Sequence, residues 1–175
     1  MPSVSLVTWN VRGLGGIKGL NRLMTYMQKN KTNDKLAVVM GQEHNLRADE
    51  LDTARTKALI RDFQLIVTSG RADDPASSRG GVFILIDTKQ MSEAKILHED
   101  PGFIRVTVDW GAEKLDLANV YAPVHDSARI DFYNTLRGRL SSNTIVGGDC
   151  SSVRHCPRAK SSVAEVANSV AFSTV

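Results

Sequence analysis

Long apolar runs are missing from this 175-residue chain. Its longest, Leu36 to Met40 and Val82 to Ile86, fall far short of the ~20 residues a helix needs to cross a bilayer, so no membrane partner is expected. Cysteine is scarce: Cys150 and Cys156 are the whole complement, and their spacing suits neither a zinc-ligand pair nor a disulfide framework. Reduced thiols are expected. The start, Met1-Pro2-Ser3-Val4-Ser5, lacks a basic stretch followed by an apolar segment, which sets the expectation of an intracellular protein. A strong charge of either sign is absent too. The net charge of +3 and pI of about 9.0 favour a phosphate-rich partner without requiring one.

What is present belongs to a folded domain. Hydrophobic residues make up 42% and charged residues 23%, ordinary for a globular chain, and at this length one domain buries roughly two thirds of its unfolded surface. Ser3 to Asn10 reads as a strand. From Ile17 to Lys29 the apolar residues Leu20, Leu23, Met24 and Met27 recur at helical spacing, with the methionines as core filling. Leu36 to Gly41 is a continuous apolar run of strand length, expected to be buried on both faces. Ala48 to Asp62 reads as a helix with Leu51, Ala54, Ala58 and Leu59 inward, and Gln64 to Thr68 as a short strand. A polar loop, Ser69 to Arg79, precedes a strand over Gly80 to Ile86.

Phe103 to Trp110 alternates, turns at Gly111-Ala112 and returns through Lys114 to Tyr121, a hairpin. Asp126 to Leu140 is expected to be helical, with Ile130, Tyr133, Leu136 and Leu140 on one face and Ser127 or Asp126 as cap. Asn143 to Gly148 is the last expected buried strand, delivering Asp149. Beyond Cys150 the pattern decays. Strands and helices alternate irregularly around one antiparallel hairpin, which predicts a layered α/β (α+β) architecture rather than a simple parallel sheet.

The chemistry-bearing residues sit where these strands end. Asn10, Glu43, Tyr121 and Asp149 each close an apolar run, so all four are expected on one rim. Two carboxylates at the ends of buried strands are the arrangement in which hydrolases place hard oxygen ligands for Mg²⁺. A buried carboxylate is costly without a partner, and a cation is one.

Five blocks in order carry a family resemblance: Thr8-Trp9-Asn10-Val11-Arg12-Gly13, Gly41-Gln42-Glu43, Arg79-Gly80-Gly81-Val82, Asn119-Val120-Tyr121-Ala122-Pro123 and Gly147-Gly148-Asp149. Together, over about residues 4 to 153, they resemble the endonuclease/exonuclease/phosphatase family, and within it the apurinic-like endonuclease domain of non-LTR (LINE-type) retrotransposon polyproteins. The resemblance implies a four-layer α/β sandwich, with residues 1–153 a partial domain and 154–175 a poorly defined segment of it. It implies an Mg²⁺- or Mn²⁺-dependent nuclease that nicks DNA in the nucleus, beside a reverse transcriptase domain of the same polyprotein.

The resemblance also assigns roles. It makes Glu43 the principal metal ligand with Asn10 beside the metal, Tyr121 a contact to the scissile phosphate, and Asp149 the residue that orients or deprotonates the attacking water. Arg12 and Arg79, with Lys18 and Arg22, fall where a DNA-facing rim is expected. His44 directly follows Glu43 and is expected on the rim without a catalytic part.

Departures from the family pattern are equally specific. Cys150 replaces an aromatic residue and Ser151, the remaining catalytic candidate, replaces an asparagine, giving a hydroxyl where relatives offer a carboxamide. Ala159-Lys160 stands where retroelement relatives carry Asp-Arg. No counterpart of the family's later metal-site aspartate or its Ser-Asp-His block is present. The resemblance therefore implies impaired catalysis, with an open sheet edge and an exposed apolar face. A non-catalytic DNA-binding remnant and a phosphatase of the same family are the alternatives.

Overall fold

The structure is a computed structural model that describes residues 4–30, 36–70, 80–123 and 125–149. In chain order the elements are β1 (Ser5–Asn10), α1 (Ile17–Asn30), β2 (Leu36–Gln42), a 3-10 turn (Ala48–Glu50), α2 (Leu51–Leu59), β3 (Phe63–Val67), β4 (Val82–Asp87), β5 (Lys95–Asp100), β6 (Phe103–Trp110), β7 (Glu113–Tyr121), α3 (Asp126–Arg139) and β8 (Thr144–Asp149). The strands form two four-stranded mixed sheets, ordered β1-β2-β4-β3 and β5-β6-β7-β8. In each sheet one pair is parallel, β1 with β2 and β7 with β8, and the remaining pairs are antiparallel.

Alternation along the strands builds the layers. Ile84 and Ile86 of β4 and Ile104, Val106 and Val108 of β6 meet in the core between the sheets. Residues of opposite parity, Phe83 and Leu85 of β4 and Leu65 and Val67 of β3, face α1 and α2. On the other side Phe103, Ala118 and Val120 pack against Tyr133 and Leu136 of α3. The result is helix, sheet, sheet, helix. Each fully buried Ile, Leu or Phe stabilises such a core by about 1.5–3 kcal/mol.

Several elements depart from the sequence pattern. The helix expected over Ala48 to Asp62 is a 3-10 turn followed by a shorter α2, and Leu59 faces out, 70% exposed. On α3, Ile130 is exposed while Tyr133 and Leu136 are buried, and the cap position is His125, with no side-chain cap bond. The last strand, expected to be buried, is a half-buried edge. β5 was not anticipated. Among the described residues β1 and β8 are both edge strands and pack beside each other, leaving Val7 and Trp9 exposed on β1.

Candidate active site

Both parallel pairs run toward the same rim. Register pairs Asn10 with Gln42 at the end of β1–β2, and Tyr121 with Asp149 at the end of β7–β8, and face-to-face packing of the sheets brings the two rims together. Asn10 is the link. Its Nδ2 donates to Glu43 Oε1 at 2.7 Å and to Asp149 Oδ2 at 2.8 Å, and the Tyr121 hydroxyl donates to the same Glu43 oxygen at 3.0 Å. All four side chains are half-buried. Asn10 Oδ1 accepts from the Arg12 backbone N–H at 3.1 Å, an Asx-type bond two residues on that turns the chain out of β1.

Local sequence makes this approach possible. Gly148 has φ of +144°, and a Cβ there would lie 2.0 Å from the Val120 carbonyl oxygen, so no other residue lets β8 run this close to β7 and present Asp149. Glu43, one residue beyond β2, has φ of +56°. That left-handed backbone is sparsely populated for a residue with a side chain and must be held by its surroundings.

Beneath the rim lies a polar network that sequence reasoning did not single out. Buried Gln42 donates from Nε2 to Asn119 Oδ1 at 2.7 Å, and buried Asn119 donates from Nδ2 to the carbonyls of Gly41 at 2.9 Å and Phe83 at 2.8 Å. Gln42 also reaches Thr8 Oγ1 at 3.2 Å and the Met40 carbonyl at 3.0 Å. One amide pair thus crosslinks the two sheets directly under the carboxylates. The available signal was a lone polar residue inside an apolar strand, which burial permits only when its hydrogen bonds are made.

His44 differs from the rim position expected of it. It is 0% exposed, its Nδ1 accepting from the Leu46 N–H and its Nε2–H meeting the Thr68 carbonyl, each at 2.9 Å. Burial pushes the imidazole down to about 4, partly offset by the bond to the Thr68 carbonyl. Arg12, Lys18 and Arg22 are exposed. Arg79 and Ser151 lie outside the described residues.

The donor set suits a hard dication. Two carboxylates meet around one amide, and Glu43 Oε2 accepts no hydrogen bond among the described residues. Among the described residues no three His, Cys, Asp or Glu side chains group to hold a metal. Glu43 and Asp149 supply the one or two carboxylates that a hard dication ordinarily takes from a protein. Asn10 turns its NH₂ toward both carboxylates and holds them in place.

No protein-family model matches the sequence, and no curated protein does. Solved structures do match its fold. A humanized D. rerio TDP2 aligns with a TM-score of 0.54 at 18% identity, covering 94% of this chain and 69% of that one. An AP endonuclease from Archaeoglobus fulgidus aligns at 0.56 and 14%, covering 85% and 57%. The 3′ phosphatase NExo from Neisseria, bound to a product DNA hairpin, aligns at 0.55 and 14%, covering 84% and 57%. The fold is that of the endonuclease/exonuclease/phosphatase proteins. The chain spans between 57% and 69% of the length of these three.

Proposed function

We propose that the chain is a metal-dependent phosphodiesterase that nicks DNA, of the kind carried by non-LTR retrotransposon polyproteins. The carrying observation is the contact of Asn10 with both Glu43 and Asp149, with Tyr121 closing on Glu43. The five ordered motifs support the finer attribution. The coarser reading, phosphoester chemistry on DNA, is supported by structural neighbours bound to DNA, NExo with its product hairpin and a D. rerio TDP2 complexed with single-strand DNA product.

In this reading Glu43, with Asn10 beside it, holds Mg²⁺ or Mn²⁺, which when bound polarises the phosphoryl oxygen and offsets charge developing on it. Asp149 orients the attacking water and takes its proton. Tyr121 turns its hydroxyl to the scissile phosphate, and Ser151 supplies a second, weaker donor. Arg12 and Arg79 hold flanking phosphates. Water adds to phosphorus as the bond to the 3′ oxygen breaks in line; the departing 3′ alkoxide takes a proton from solvent and Asp149 releases its own, leaving a 3′-hydroxyl that primes a reverse transcriptase of the parent polyprotein in the nucleus.

Because the Ser151 hydroxyl stands in for a carboxamide, turnover is expected to be slow. The test is nicking of supercoiled plasmid with Mg²⁺. Glu43→Ala is expected to lower the rate on the order of 100-fold. Equal nicking by both proteins assigns the activity to a contaminant and removes the reading. The basic balance of the chain favours one second reading, a non-catalytic DNA binder. Duplex binding that weakens steeply with salt yet ignores Mg²⁺ and Glu43→Ala, without nicking, would select it.

A further inference from the structure

We propose that His44 is the positioning residue for Glu43: its buried imidazole holds the exit of β2 in the left-handed backbone that turns the Glu43 carboxylate toward Asn10 and Tyr121. The inference rests on the function proposed above, because it concerns how that site is kept in shape. Two non-glycine residues at this exit, Glu43 and Asn45, have φ of +56° and +53°, a conformation that persists only where the surroundings over-determine it. His44 lies between them, fully buried.

Both ring nitrogens are committed. Nδ1 accepts from the Leu46 N–H, so the ring proton sits on Nε2 and is donated to the Thr68 carbonyl just beyond β3. The ring lies against Gly81, where a Cβ would meet Nε2 at 2.2 Å, and edge-on to Phe83 with centroids 6.3 Å apart. The exit is also stitched on either side. Gly13 N–H donates to the Glu43 carbonyl at 2.7 Å and Leu14 N–H to the His44 carbonyl at 2.9 Å. Opposite, Glu43 N–H donates to the Gly81 carbonyl at 2.9 Å and Asn45 N–H to the Gly80 carbonyl at 3.1 Å.

An apolar residue of equal size would fill the same space. It would leave Leu46 N–H and the Thr68 carbonyl without the ring and the turn untied from β3. His44 bonds to none of the four rim side chains, so it acts on Glu43 through the backbone, not through substrate.

The test compares wild type, His44→Gln, His44→Ala and Glu43→Ala by Mn²⁺ titration calorimetry without DNA, by amide hydrogen exchange at Gly13 and Asn45, and by thermal melting. Expected for His44→Ala is Mn²⁺ binding weakened about 10-fold or more, with faster exchange at both amides in a protein that still melts cooperatively. His44→Gln, which keeps a donor for Thr68, is expected to lose less, and it carries the test if His44→Ala does not fold. Cooperatively folded variants that bind Mn²⁺ within about twofold of wild type, with Gly13 and Asn45 still protected, would overturn the assignment. Wild-type Mn²⁺ affinity in Glu43→Ala instead removes Glu43 as metal ligand, and exchange at Gly13 and Asn45 then decides the role of His44 alone.

Discussion

At the scale of the residue, burial decides what each polar side chain can do. His44 titrates at 6.5 when free and at about 4 in the fold, burial being the larger cause and the Thr68 bond a partial offset. The unfolded chain therefore takes up this proton before the folded chain does. Stability falls as pH drops from about 6.5 toward 4 and is fully present above that window. The shift corresponds to about 3 kcal/mol from this one group. Denaturant unfolding of wild type and His44→Gln at several pH values checks it: the stability gap is expected to widen as pH rises through the window. Parallel curves would assign the acid sensitivity to other groups. The sequence placed His44 beside Glu43 but not inside, because its partners, Leu46 N–H and the Thr68 carbonyl, are backbone groups that no side-chain pattern reveals.

At the scale of the element, periodic segments were legible and irregular ones were not. α1 buries the four residues its spacing marks, and β2 is buried along its whole length. β5 escaped because Lys95 to Asp100 neither alternates nor stays regular: Ile96 is exposed and the ladder to β6 shifts between Ile96 and His98. Leu59 and Ile130 carry helical spacing yet are exposed, with no cover among the described residues. The Gln42–Asn119 crosslink also belongs to this scale, because it joins two strands that the sequence keeps 77 residues apart. Asn119→Ala removes three buried bonds, taking the Asn119 amide from the Gly41 and Phe83 carbonyls while Gln42 keeps Thr8 Oγ1 and the Met40 carbonyl. A loss of about 3 kcal/mol in denaturant unfolding is expected, against about 1 kcal/mol or less if the network contributes only packing.

At the scale of the whole molecule, the candidate site is shared between the sheets. Asn10 and Glu43 come from the β1–β2 rim, Tyr121 and Asp149 from the β7–β8 rim, so the constellation exists only while the two sheets pack. No local pattern encodes that packing; the order of five motifs pointed to it through family resemblance, and the matched folds agree. In the function proposed above, these four side chains frame one divalent-cation position. Anomalous diffraction from Mn²⁺-soaked crystals tests it most directly. A single strong peak is expected within about 2.0–2.4 Å of a Glu43 carboxylate oxygen, absent in Glu43→Ala. A peak elsewhere on the molecule, or one that survives Glu43→Ala unchanged, would contradict it.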